Sequence, residues 1–221
     1  MERTQGRRLH TTAGAFALGA FLVEHLATNA SVLAGSAAYD DVVGSLQRSR
    51  FTGVFEIVFI LLPLAYHAGY GIRLLARPGL DADMDRYPSR RLWTMQRASA
   101  TVVFLLVLAH FLELRAQRLF FGMGPEATYT TLTAHLSWTW AGVPWVALLY
   151  LLGIAGTCFH FANGLYATWR KRTLSLIVGG GLFMLGFLTV LAFATGTRLF
   201  TPADVETIPC GSTVPISSSR P

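Results

Sequence analysis

Five stretches of this chain, at about residues 11–33, 54–76, 94–119, 144–168 and 174–196, are each apolar over a length that can cross a bilayer. A span needs roughly 20 mostly apolar residues to cover about 30 Å of hydrocarbon at 1.5 Å per residue. Inside lipid every backbone polar group must be satisfied within the segment, so such runs fold as helices. The rest of the composition agrees. Only 14% of the residues are charged and 52% are hydrophobic, whereas soluble domains carry about 25% charged residues. The chain is therefore expected to be all-α, one membrane domain over residues 1–221 built as a five-helix bundle, with short connections and a tail over 197–221.

Charge asymmetry orients the bundle. Assigning the polar segments alternately to the two sides puts Arg3, Arg7, Arg8, Arg73, Arg77, Arg86, Arg90, Arg91, Arg97, Arg170, Lys171 and Arg172 on one face. The other face receives Arg48, Arg50, Arg115, Arg118, Arg198 and Arg220, together with Asp40, Asp41, Glu126, Asp204 and Glu206. The positive-inside rule then places the N-terminus in the cytoplasm and the C-terminus and tail outside, in a multi-pass protein of the cell inner (cytoplasmic) membrane. The net charge of +6 is this topogenic excess spread over short loops, and it calls for no nucleic-acid partner. Arg7, Arg8 and the small residues at 34–38 resemble a signal peptide. Glu24 and His25 interrupt the apolar run, however, and its length exceeds a typical signal core of about 7–15 residues, so an uncleaved span is expected. Cys158 within the fourth span and Cys210 in the tail are unsuited to an intrachain bridge, and no C-x-x-C-H motif for covalent haem attachment is present.

The chemistry lies in the histidines. Of six, four fall one per span: His25, His67, His110 and His160. A lone histidine in a membrane helix is most simply an interhelical hydrogen-bonding residue, but one in each of four successive helices is a pattern that asks for a common ligand. Imidazole is an axial ligand of haem iron, and two ligands for each of two irons use all four. Helix direction sorts them by depth. His25 and His110 lie past the midpoints of helices running outward, and His67 and His160 past the midpoints of helices running inward. Two tiers of two result, separated by roughly 10 Å at 1.5 Å per residue. Small residues such as Gly14, Gly19, Gly69, Gly71, Gly153 and Gly156 leave room for a close helix or a flat macrocycle, with helix packing the commoner use. Gly179-Gly180-Gly181 reads as a packing face, since no strand precedes it and its spacing fits no dinucleotide fingerprint.

Several segments carry a resemblance: Arg7-Arg8-Leu9-His10, Phe21-Leu22-Val23-Glu24-His25-Leu26, Phe55-Glu56-Ile57, Leu62-Pro63, His67-Ala68-Gly69-Tyr70-Gly71 and Phe159-His160-Phe161-Ala162-Asn163-Gly164-Leu165. Over roughly residues 7 to 170 the chain resembles the single-chain, five-helix, dihaem cytochrome b subunit of succinate dehydrogenases and fumarate reductases. The resemblance implies two haem b groups, the inner held by His67 and His160 and the outer by His25 and His110. It also implies a flavoprotein subunit and an iron–sulfur subunit docked on the cytoplasmic face, and a membrane quinone, usually menaquinone, as the electron partner. Complexes of this family often assemble as oligomers. The chain's own two cysteines cannot ligate an iron–sulfur cluster, which normally needs four, so dicarboxylate chemistry belongs to partner chains. The cationic loops around 73–97 and 170–172 serve topology first, with docking or haem-propionate contacts as a further use.

Quinol oxidation releases protons, so a carboxylate near the ring is expected. Glu24, Glu56 and Glu113 all fall in the outer half of their spans. Glu56 is the preferred catalytic residue, because its Phe-x-Glu context matches the family. Glu24 departs from the family, in which a neutral residue is expected before this histidine. His10 at the edge of the first span suits a propionate contact, a helix cap or solvent, while His135 near Trp138 and Trp140 suits the headgroup level. Two alternatives stand beside this reading. One is the cytochrome b subunit of another quinone-linked dehydrogenase or reductase, families in which two histidines commonly share a helix. The other is a small transporter or assembly factor with structural histidines, which would favour discontinuous helices or internal repeats.

Overall fold

A computed structural model describes residues 2–76, 84–116, 120–122 and 127–199. Five helices are long and apolar enough to cross a membrane: Gln5–Ala34 (α1), Thr52–Leu75 (α3), Arg90–Ala116 (α4), Trp145–Trp169 (α6) and Arg172–Thr195 (α7). They begin and end within a few residues of the expected spans, apart from α1, which starts a turn and a half earlier. Positions 117–119 of the third expected span and 200–221 of the tail lie outside the described residues, as do Arg77, Arg118, Glu126 and Cys210.

Two connections hold more structure than short loops. Ser36–Arg48 (α2) and Ala127–Ser137 (α5) are helices that cap the face opposite the N-terminus. Both are amphipathic in their effect. Tyr39 of α2 is 2% exposed and its ring meets those of Tyr129 and Phe193, while Leu136 of α5 is 1% exposed. Around them Val32, Leu33, Leu132, Ala147, Val190, Ala192 and Phe193 complete the largest buried cluster. The break between α1 and α2 falls at Gly35, whose φ of +109° suits a residue without Cβ.

A bend of two residues, with Arg170 in the left-handed region, reverses the chain so that α6 and α7 run antiparallel. Their contact is close because α7 presents Gly179 to Ala162 and Gly186 to Ile154, seven residues apart and hence on one face. A Cβ on Gly179 would fall 2.6 Å from that of Ala162. Gly180 and Gly181 face open space, so the packing role falls to the first of the three glycines. Beyond this hairpin, α6 packs along α4, α7 crosses the second half of α1, and α3 lies against the first half of α1 while meeting α4 only thinly. The consequence is an unfilled interior. In the most apolar 18-residue windows of α3 and α4 no residue is buried at all.

Three of the spans contain a π segment: Ala13–Leu18 in α1, Glu56–Leu61 in α3 and Phe111–Ala116 in α4. Such wide turns are frequent at functional sites, where they change which side chains face inward.

Candidate cofactor and quinone site

The space left between α1, α3, α4 and α6 is a cavity of about 1630 Å³ that runs the depth of the bundle. Ordinary ligand pockets hold about 300–1,000 Å³, so this one has room for more than a single drug-sized group. Most of the lining is aliphatic and aromatic, with polar side chains interspersed along its length. Among them are His10, His25, His67, His110 and His160, the carboxylates Glu24, Glu56 and Glu113, and Arg7, Arg86, Arg97 and Arg115.

The histidines meet in pairs across this cavity. Nearer the N-terminal face, the rings of His67 (α3) and His160 (α6) have centroids 6.2 Å apart and planes 89° apart. Nearer the opposite face, His25 (α1) and His110 (α4) have centroids 5.9 Å apart and planes 79° apart. Two imidazoles bound through nitrogen at about 2.0 Å on opposite sides of one metal ion place their centroids roughly 6.3 Å apart. Both pairs are close to that spacing. Among the described residues no group of three or more His, Cys, Asp or Glu gathers as it would around a metal held by side chains alone. Two nitrogens per site, beside a large apolar void, fit an iron whose other four ligands come from a macrocycle.

His67 and His160 are held by their neighbours, and these supports were not visible in the sequence. His67 donates its Nδ1 hydrogen to the backbone oxygen of His10 at 3.0 Å, which leaves Nε2 with a free lone pair. The His10 ring stacks on His67 at 4.0 Å, so His10 joins the inner pair instead of capping a helix or facing solvent. Gly14 makes that arrangement possible: a Cβ there would lie 2.5 Å from His67 Cε1. His160 is framed by α4. Gln96 Nε2 donates to the His160 backbone oxygen at 3.1 Å and lies 3.1 Å from its Nδ1, while Ser99 Oγ lies 3.3 Å from Nδ1. Asn163, one turn on from His160, fixes the amide of Gln96 by donating to its Oε1 at 2.9 Å, and also donates to the Leu92 carbonyl at 3.1 Å.

Toward the opposite face the carboxylates take different partners. Glu56 of α3 forms an ion pair with Arg115 of α4, both partly exposed at the cavity rim. Glu113, two residues earlier than Arg115, turns the other way. Its Oε1 accepts from His135 Nδ1 of α5 at 2.5 Å, and its Oε2 accepts from the Tyr150 hydroxyl of α6 at 2.7 Å. His135 is therefore more than a headgroup-level residue. Glu24 lines the cavity beside His25, and its backbone oxygen accepts from the Thr28 hydroxyl at 3.0 Å. Sequence reasoning missed Gln96, Ser99, Asn163, Arg115 and Tyr150. The one available signal was Asn163, polar and three positions beyond a membrane histidine.

Among curated proteins, the chain is similar to the succinate dehydrogenase cytochrome b558 subunit of Bacillus subtilis (strain 168), with 30% identity over 200 residues that cover 85% of this chain and 95% of that protein. No protein-family model matches the chain, and no solved structure does.

Proposed function

From the premise that this chain belongs to the family of succinate dehydrogenase cytochrome b subunits, we propose that it is the dihaem membrane anchor that carries electrons between an iron–sulfur subunit and a membrane quinone. The observation that carries the reading is the pair of His–His contacts, 6.2 Å and 5.9 Å between ring centroids, on four different helices lining one cavity. His67 and His160 would hold one haem b, and His25 and His110 the other. When bound, the haems supply one-electron relay chemistry that amino acid side chains lack. The protein's share is to fix the ligands, exclude water and handle protons.

Those tasks divide among named residues. His10 and Gly14 hold the His67 ring from two sides, while Gln96, Ser99 and Asn163 hold His160. Arg97 bonds the last carbonyls of α3, those of Leu74 and Leu75, at 3.5 and 3.3 Å, and so ties α3 to α4 at the N-terminal end of the cavity. We place that end in the cytoplasm, since twelve of the eighteen Lys and Arg fall on its side. The flavoprotein and iron–sulfur subunits would dock there. At the other end, Glu56 offers a carboxylate oriented by Arg115 at the rim between α3 and α4, which meet only thinly. A quinone, of which menaquinone is the family's usual one, would reach it from the lipid, and Glu56 would take or give the proton that accompanies each electron.

Pyridine haemochrome quantitation on the chain purified in detergent tests the proposal, with two b haems per chain expected; a chain free of haem overturns it. A steric variant gives a sharper result. Gly14→Val puts carbon where the His67 ring lies, and is expected to remove the haem on the N-terminal side while the other stays, halving the reduced-minus-oxidised signal.

A further inference from the structure

The two proposed sites differ in what stands behind the ligands. Behind His67 and His160 are a backbone carbonyl, an amide and a hydroxyl, all neutral. Behind His110 is a carboxylate at one remove. Its Nδ1 lies 3.2 Å from the Tyr150 hydroxyl, whose oxygen lies 2.7 Å from Glu113 Oε2. Hydrogen counting fixes the direction of this chain. Tyrosine has one hydroxyl hydrogen, and an ionised carboxylate only accepts. The hydrogen therefore goes to Glu113, and the tyrosine oxygen can offer His110 nothing but a lone pair. Nδ1 of His110 must then carry the hydrogen, which leaves Nε2 unprotonated and able to bind a metal. The other carboxylate oxygen is taken by His135 Nδ1 at 2.5 Å. Three elements, α4, α5 and α6, thus converge to hold one imidazole in one tautomer.

We propose that Glu113 and Tyr150 are positioning residues for the outer haem: acting through His110, they fix its tautomer and lower that haem's reduction potential. This rests on the ligand assignment above. Negative charge relayed through Tyr150 makes the imidazole a stronger donor and favours the ferric state. The effect should be confined to one haem, because among the described residues the inner ligands are backed by neutral groups.

The test is a spectroscopic redox titration of both haems in membranes carrying the whole complex, for Glu113→Gln, Tyr150→Phe and the double variant. Glu113→Gln keeps the size and removes the charge. It is expected to raise the outer haem's potential by about 59 mV, a tenfold change in its oxidised-to-reduced ratio for one electron, and to leave the inner haem unchanged. Tyr150→Phe is expected to raise it as well, and adding Glu113→Gln to that background should do nothing more. An outer potential that does not rise in Glu113→Gln overturns the proposal, as does a rise that persists in the Tyr150→Phe background. If Tyr150→Phe loses the outer haem, the Glu113→Gln result decides alone. His110→Ala separates the two readings: if it leaves both haems in place the ligand assignment has failed, and if it removes the outer one that assignment stands whatever Glu113→Gln shows.

Discussion

Replacing His67 by alanine, together with His10, is expected to lower the haem content from two per chain to one. His10 has to be included because its ring stacks at 4.0 Å on that of His67 and is near enough to take its place. Alanine at His160 is expected to remove the same haem, so combining it with the His67 change should cost nothing further. His25→Ala and His110→Ala form the second group and should each remove the other haem, again without adding to one another. One variant from each group in the same chain should leave none. This pattern of substitutes within pairs and sums between them is what the proposed ligation by the two ring pairs, at 6.2 Å and 5.9 Å, would give, and structural histidines would not produce it. The measurement is pyridine haemochrome stoichiometry per chain, and a ratio that stays near two in all four single positions would sink the assignment.

Glu56→Gln should be nearly silent by that measure and severe by another. Glutamine keeps the shape and an acceptor for Arg115, so both haems should remain. It can no longer donate a proton to the quinone as it is reduced, and loss of a positioned general acid typically costs about 10²–10⁴ in rate. Succinate-driven reduction of a soluble quinone by the complex should fall by about that factor, while succinate oxidation with an artificial acceptor, which bypasses this chain, should be unchanged. Of the other carboxylates in that half of the bundle, Glu113 already has both oxygens engaged, by His135 and Tyr150. Unaltered quinone reduction in Glu56→Gln would therefore direct attention to Glu24, which also lines the cavity.

Much of the architecture could be read without coordinates, and the reasons are local. Whether a segment spans depends on the summed transfer energy of its own residues, so the apolar runs located α3, α4, α6 and α7 to within a turn or so, and α1 less closely at its start. Which histidines share a level depends only on their distance along helices of alternating direction and fixed rise, and the rings that meet are those that share a level. The buried clasp of α2 and α5 over the end opposite the N-terminus was harder to see. Tyr39 and Leu136 look like ordinary residues of a polar loop until Phe193 and Val190, more than 50 positions away, are placed beneath them.

The chemistry around the histidines belongs to the tertiary level. Glu56 finds Arg115 across 59 positions, and Gln96 finds His160 across 64. Such pairings depend on how each helix is rotated about its axis and how closely it approaches the next. Hydropathy is blind to that rotation. It is set by contacts such as Gly179 on Ala162 and Gly14 on His67, and by the π turn after His110, where Glu113 and Arg115 reach different neighbours. By itself the sequence determined the number of spans, their charge asymmetry and the levels of the four histidines, because these follow from sums and distances along one chain. Only the tertiary structure decided which hydrogen bonds stand behind each histidine, because those require side chains from separate helices to meet within about 3 Å.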